Sequence, residues 1–382
     1  MKVLTVIENI DIETGGGASE RARQISLKLH DLGHDSKILT TSIHYSELTR
    51  STLQHLNVVT LRSLYKRFWV PHPRFFLIKG LIKNSDVIHI VNHWTLLGLL
   101  SFFFCKIYKK PYFISPLGSL VIFGRSIIFK KIYNLIIGKK ILASSEGCIV
   151  ATLEEVNQLD ELNIFPKEVF HIPNGVEEDN YTFDPLGKDF DELRTGIDYI
   201  LFLGRLNKIK GPDILLKAFK IIASEKKDLD LVFAGPDDGM LAELEREASE
   251  NNLQSRIHFL GYVAGEKKAK LISESLFMVI PSRKEAMSIV VLEAGIMSRP
   301  VVLTNVCGFD EVQDVDGGIV VEPNVESIHH GIKLLLNNRS ELSSMGKRLE
   351  TLVRDKYLWS SAALRHEKIF KSAVESVNTN HS

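Results

Sequence analysis

The sequence predicts an α/β protein of two doubly wound, Rossmann-like domains, each a parallel sheet with helices on both faces. Three observations carry this. Continuous apolar runs such as KVLTVIENI and YILFLG read as strands buried on both sides. Stretches with apolar residues at helical spacing follow them. The strand–loop–helix order then occurs twice, on either side of the acidic segment VEEDNYTFDPLGKDFDELRTG.

In chain order, KVLTVIENI is the first strand and DIETGGGAS a loop. ERARQISLKLHDLG is a helix with Ala22, Ile25, Leu29 and Leu32 on one face and Gly33 as its stop. DSKILTT returns as a strand. Residues 87–105 carry no formal charge, but His89, Asn92 and His93 near the middle argue against a membrane span. They read instead as a strand over Val87–Val91, a loop, and a helix from about Thr95. In the second half YILFLG is a strand, RLNKIKG a loop, and PDILLKAFKIIASE a helix with Pro212 and Asp213 in its first turn. LDLVFAG, RIHFLG, LFMVIPS and PVVLTN are further strands, and LAELEREASENN a helix.

The turn-forming triplet Pro173-Asn174-Gly175 marks the boundary. The expected domains are 1–175 and 197–357, with a linker at 176–196 and a last helix at 358–376. Open parallel sheets bind ligands at the carboxyl ends of their strands, so the expected site is a central cleft that closes about Gly175.

The 382 residues hold 47 Lys+Arg and 47 Asp+Glu, with 45% hydrophobic residues. Disorder, collagen and coiled coil are excluded, and zero net charge offers no global reason to bind nucleic acid. Cys105, Cys148 and Cys307 are widely spaced with no Cys-x-x-Cys, which excludes a disulfide framework or zinc ribbon and predicts a cytoplasmic protein. The apolar run at the N-terminus, broken by Glu8, is short for a secretion leader.

Locally the charge is far from balanced. Over 61–140, fourteen basic residues face Asp86 alone, a net of +13. The same segment is rich in aromatic and aliphatic residues, a combination that suits a face lying on an anionic membrane. The alternative is a set of solvated helix faces.

Two loops carry the chemistry. In G-R-L-N-K-I-K-G, Arg205 offers a planar fork to phosphate oxygens and Lys210 a compact charge, backed by the amides of the next helix. The alternative is pairing with surface carboxylates. In P-S-R-K-E-A-M-S-I-V-V-L-E-A-G, Glu285 and Glu293 stand eight residues apart, ~12 Å along a helix. That exceeds the ~5–9.5 Å of a glycosidase acid–base pair and suits the two ends of a nucleotide sugar. The amides of Met287, Ser288 and Ile289 would point at the phosphates between them. Otherwise Glu285 is an N-terminal helix charge and Glu293 a solvated one.

G-R-L-x-x-x-K-G, followed about eighty residues later by P-S-x-x-E-x-x-x-x-x-x-x-E-A, resembles the retaining glycosyltransferases of family 4, of the GT-B fold. The glycine triplet Gly15–Gly17, I-P-N-G at 172–175, F-L-G-Y at 259–262 and R-P-V-V-L-T at 299–304 extend the likeness along nearly the whole chain. It implies transfer of a hexose-type sugar, with retention, from a nucleotide donor to a glycan or other acceptor, with no cofactor and no metal, while the basic apolar block of 61–140 favours a lipid-linked acceptor at the inner membrane face, as in surface polysaccharide assembly. It also implies that the final helix packs back on the N-terminal, acceptor-binding domain. By residue, Arg205 and Lys210 correspond to diphosphate-binding positions, Glu293 to the ribose-binding glutamate and Glu285 to the sugar-contacting one. Gly16 and Gly17 would lie near the diphosphate and acceptor, and the backbone at Tyr262–Val263 near the base.

Three departures stand out. The usual Glu-Gly-Phe-Gly is Glu285-Ala286-Met287-Ser288. The usual Ser-Pro-His-Gly-Met-Leu is Ser115-Pro116-Leu117-Gly118-Ser119-Leu120. Where many members read His-x-His, this chain has His89-Ile90-Val91, with His93 two residues on. His93 either replaces the family histidine or is a helix-capping or core imidazole. Competing readings are a GT-B sugar-nucleotide epimerase or hydrolase, and a catalytically silent nucleotide-sugar binder. A dinucleotide oxidoreductase is disfavoured, because ENIDIETGGGASE lacks G-x-G-x-x-G.

Overall fold

The structure, a computed structural model, describes all residues except 43–44, 66–69, 73, 123–126, 182–195 and 380–382. It forms two compact units: Met1–Asn174 with Trp359–Ser382, and Gly175–Leu358.

The first unit runs β1 (Lys2–Val6), α1 (Gly16–Asp31), β2 (Asp35–Thr41), α2 (Glu47–Thr52) and β3 (Asn57–Leu61). A hairpin of β4 (Ser63–Tyr65) and β5 (Val70–Pro71) leads to α3 (Phe75–Lys83), β6 (Val87–Val91), α4 (Leu96–Ile107) and β7 (Tyr112–Ser115). Then come α5 (Ile127–Tyr133), a π-helical turn (Asn134–Gly138), α6 (Lys139–Ala143), β8 (Gly147–Val150), α7 (Leu153–Glu161) and β9 (Val169–His171). Seven parallel strands lie in the order β3-β2-β1-β6-β7-β8-β9. Every residue of β6 is buried, which is why its sequence shows no polar alternation. Thr95 caps α4, its Oγ1 accepting from the Gly98 amide at 3.0 Å. Residues 87–105 are thus the strand and helix expected of them. No helix among the described residues is long and apolar enough to cross a membrane.

The N-terminal segment departs from expectation in two ways. β1 stops at Val6 rather than Ile10, because the Asn9 and Asp11 side chains then capture the backbone. Asn9 Oδ1 accepts from the Asp11 amide, and Asp11 Oδ1 from the amides of Glu13 and Thr14. The glycine triplet is also not a free loop: Gly15 caps α1, and Gly16 and Gly17 begin it.

The C-terminal helix α15 (Trp359–Thr379) belongs to this first unit and packs along α1. Trp359, His366 and Phe370 are buried, Phe370 lies against the Phe113 ring, and Glu367 meets His34 Nε2 at 2.8 Å.

The second unit is β10 (Asp198–Leu203), α8 (Pro212–Glu225), β11 (Leu229–Ala234), α9 (Leu241–Glu250), β12 (Ile257–Phe259), α10 (Gly265–Glu274) and β13 (Met278–Ile280). It continues with α11 (Ile289–Ile296), β14 (Val301–Thr304), α12 (Glu311–Asp314), β15 (Gly318–Val321), α13 (Val325–Asn337) and α14 (Leu342–Lys356). Six parallel strands lie in the order β12-β11-β10-β13-β14-β15. Phe202, Phe219, Phe233 and Phe277 centre its core. In each sheet the order reverses once, between β1 and β6 in the first and between β10 and β13 in the second. Loops diverge at such reversals and leave room for a ligand.

Candidate active site

The reversal point of the second sheet is where the two chemically loaded loops leave, one after β10 and one after β13. They are tied together closely. Gly211 caps α8 with φ +69°, and a Cβ there would stand 2.1 Å from the Pro281 carbonyl oxygen, so only glycine brings the loops this near. The Arg283 amide donates to Ile209 O at 2.7 Å and its guanidinium to Lys208 O at 2.7 Å. The same guanidinium grips both oxygens of Asp213, at 2.8 and 2.7 Å, and Lys208 Nζ adds a contact at 2.8 Å. Burial alone would raise the Asp213 pKa, but these donors outweigh it and hold the carboxyl at about 2.

This brace positions the predicted residues. Lys210 Nζ meets Glu285 Oε2 at 2.9 Å, so one cation from the first loop and one acid from the second touch directly. Ser282 Oγ donates to Glu285 Oε1 at 2.5 Å, and the Glu285 amide donates to Val306 O at 3.0 Å, anchoring the residue to the loop after β14. Arg205 pairs with Asp238 at 3.2 Å, and Asn207 Nδ2 donates to the same carboxylate oxygen at 2.8 Å. Both cations therefore have carboxylate partners, the alternative raised by their sequence. An ammonium carries three donors and a guanidinium five, so one carboxylate each does not exhaust them. Their side chains remain 25% and 42% exposed, which allows a phosphate to reach them.

Glu293 sits on α11 and is buried, not solvated. Tyr181 donates to its Oε1 at 2.7 Å and Lys268 Nζ approaches the same oxygen at 3.0 Å, with the ammonium 5.2 Å from the centre of the Tyr181 ring. The segment from Glu285 to Glu293 is not one helix. It becomes helical only at Ile289, because the Ser288 amide donates to Cys307 O at 3.0 Å and holds the approach extended. The ~12 Å helical spacing therefore does not apply, and of the three expected amides Ser288's is already engaged. Met287 is buried and Ile289 opens the helix. Val263 is buried just beyond Gly261, whose carbonyl accepts from Gly235 at 2.7 Å, so the loops after β11 and β12 are also joined. A separate concavity of about 540 Å³ lies beside Val321, Glu322 and His330 and is lined by none of the predicted residues.

In the first unit, Gly16 holds φ +69° and Gly17 is exposed at the start of α1. His93 follows β6 and is only 2% exposed. Asn134 Oδ1 accepts from both His93 Nε2 and Trp94 Nε1 at 2.9 Å, which leaves Nδ1 as the unprotonated nitrogen, buried with no partner among the described residues. Burial lowers the imidazole pKa to about 4, against a smaller opposing effect of the Asn134 bond. This is a neutral core imidazole, one nitrogen of which is already bonded to Asn134. The expected site residues thus divide between the two units: Arg205, Lys210, Val263, Glu285, Met287, Ser288, Ile289 and Glu293 lie in the second, and Gly16, Gly17 and His93 in the first.

Sequence reading missed several participants. Asp238, Lys268 and Tyr181 are isolated polar residues with no motif around them. Arg283 and Asp213 lie inside quoted motifs, yet only the fold reveals that they pair. Glu8 was noted merely for interrupting an apolar run. Its Oε1 accepts from Asn92, a residue with φ +70°, at 2.7 Å across the reversal point of the first sheet. No cluster of His, Cys, Asp and Glu among the described residues could hold a metal ion.

Comparison with known proteins finds likeness along nearly the whole chain. Residues 15–180 match the model of Glycosyltransferase Family 4, and residues 188–351 that of Glycosyl transferases group 1. The chain is 26% identical to the uncharacterized glycosyltransferase MJ1607 of Methanocaldococcus jannaschii, across 98% of this chain and 99% of the relative. It is 24% identical to the D-rhamnosyltransferase WbpZ of Pseudomonas aeruginosa, across 93% and 91%. The crystal structure of Anabaena Alr3699/HepE in complex with UDP and glucose superposes with a TM-score of 0.79 at 15% identity, covering 97% of this chain and all of that one. Two parallel-sheet domains of this build, matched in turn by two glycosyltransferase family models, make the chain a glycosyltransferase of the GT-B type.

Proposed function

We propose that the protein transfers a hexose-type sugar, with retention, from a nucleoside diphosphate donor to a glycan or lipid-linked acceptor in surface polysaccharide assembly. The observation that carries this reading is the Lys210–Glu285 contact, held where the second sheet reverses strand order. Departure of the diphosphate places negative charge on its β-phosphate. Lys210, Arg205 and the amide end of α8 stabilise that charge as it forms. Glu285, already fixed by Ser282 and Val306, accepts hydrogen bonds from sugar hydroxyls, and Glu293 from the ribose. The bond from the anomeric carbon to phosphate oxygen breaks while the acceptor oxygen bonds on the same face, and the acceptor proton passes to the leaving phosphate. D-Rhamnosyl transfer by the Pseudomonas relative and the UDP and glucose in the Anabaena structure support donors of this class.

A panel of UDP-, GDP- and dTDP-sugars screened for thermal stabilisation tests the reading, since a ligand bound by the native state raises stability by mass action. One donor should raise Tm, and with it Arg205→Ala and Lys210→Ala should each lose more than tenfold in kcat/KM, about 1.4 kcal/mol of transition-state stabilisation. Stabilisation by no nucleotide sugar, or full turnover in both variants, overturns it.

A further inference from the structure

The two oxygens of Glu293 are held unevenly. Oε1 accepts from the Tyr181 hydroxyl at 2.7 Å and from Lys268 Nζ at 3.0 Å, while Oε2 has no partner among the described residues. The side chain keeps 12% of its surface open to a ligand. Three separate elements of the second unit converge to produce this: a short 3-10 helical turn over Glu178–Tyr181, the first turn of α10, and the middle of α11. Tyr181 is itself buried, and its ring has the Lys268 ammonium 5.2 Å from its centre, so the tyrosine steadies the lysine as well as the acid.

A carboxyl oxygen offers two lone-pair sites, so these two donors use both sites of Oε1. A ribose presents its 2′- and 3′-hydroxyls side by side, and a carboxyl group with both oxygens open takes one hydroxyl on each. Glu293 has one oxygen left for that purpose. A second hydroxyl could reach Oε1 only by displacing a donor already in place, which exchanges one hydrogen bond for another with little net gain.

We infer that Tyr181 and Lys268 are positioning residues that commit Oε1 of Glu293, so that the carboxyl group holds the nucleoside sugar through Oε2 and a single hydroxyl. The enzyme then depends on one of the two ribose hydroxyls and tolerates loss of the other, and a deoxyribonucleoside diphosphate lacking the tolerated hydroxyl remains a ligand. This deepens the donor reading above and rests on it for the ribose at Glu293. A ligand bound with the opposite demand, both hydroxyls equally, would show that Oε1 is released on binding.

The test is isothermal titration calorimetry of the full chain with UDP, GDP and ADP, and with the 2′-deoxy and 3′-deoxy form of each. For a ribonucleotide that binds, its two deoxy forms should differ from one another at least tenfold in Kd, ~1.4 kcal/mol, with the better one within threefold of the parent. Tyr181→Phe opens a lone-pair site on Oε1 and should narrow that difference at least threefold. A tyrosine that merely supported the fold would weaken all three forms alike and leave the difference unchanged. The wild-type comparison needs no variant, so it decides the matter should Tyr181→Phe fold poorly. A difference under tenfold between the deoxy forms, a loss of more than threefold from both, or an unchanged difference in folded Tyr181→Phe overturns the inference and leaves the donor reading standing. Binding of none of the three ribonucleotides overturns the donor reading and this inference with it.

Discussion

Glu8 offers a quantitative check on how burial governs the first unit. Its Oε1 accepts from Asn92, while Oε2 is buried with no partner among the described residues. Burial raises the carboxyl pKa to about 7, and its own backbone amide and Asn92 only partly counteract this. Below pH 4.5 the group is protonated in folded and unfolded chains alike. Between 4.5 and 7 the folded chain holds a proton that the unfolded chain has lost, so stability falls as pH rises through that window. A displacement from 4.5 to about 7 corresponds to at most ~3 kcal/mol at 1.36 kcal/mol per unit, and the part of Glu8 that remains exposed reduces this toward ~2. Glu8→Gln keeps the shape and the Asn92 partner but cannot ionise. It should therefore be ~2–3 kcal/mol more stable than wild type at pH 8 and nearly equal at pH 4.5. Urea unfolding followed by tryptophan fluorescence reads the correct unit, because all three tryptophans (Trp69, Trp94 and Trp359) fall within its residues. An identical wild-type-to-variant difference at both pH values, or a less stable variant at pH 8, would refute the reasoning.

Three further outcomes are expected. Asp213 behaves oppositely to Glu8: with its pKa held at about 2, its contribution of up to ~2 kcal/mol is present above pH 4 and lost as pH falls through 2. Asp213→Asn should flatten the acid limb of the second unit's unfolding, followed by hydrogen exchange. Gly211→Ala should separate the two braced loops, costing at least ~1–2 kcal/mol for the left-handed backbone and more for the clash with Pro281. It should lower kcat/KM more than Tm in proportion, measured side by side. Turnover should persist in excess EDTA, and complete loss restored by magnesium would contradict charge stabilisation by Arg205 and Lys210 alone.

Much of the architecture was legible because parallel strands buried on both faces leave uninterrupted apolar runs, and their crossover helices leave helical spacing with caps. β6 has its expected bounds and α4 begins within a residue of its expected start for that reason. Legibility failed where side chains capture backbone groups. Asn9 and Asp11 ended β1 early, and the Ser288–Cys307 bond delayed α11, both through contacts that spacing cannot reveal. Of the candidate site, the sequence named Arg205, Lys210, Glu285 and Glu293 by residue type and motif. It offered no sign that Asp238, Tyr181 and Lys268 would hold them, because these partners come from other elements, 25 to 112 residues away.

From its residues alone, then, the chain specifies two parallel-sheet halves, the charged loops at their strand ends and a basic, apolar segment. Those are local properties of composition and period. Which acid meets which cation, and that His93 is buried against Asn134, were decided only by tertiary packing. Burial and pairing depend on what lies across a gap, and neighbours across a gap are assigned by the fold.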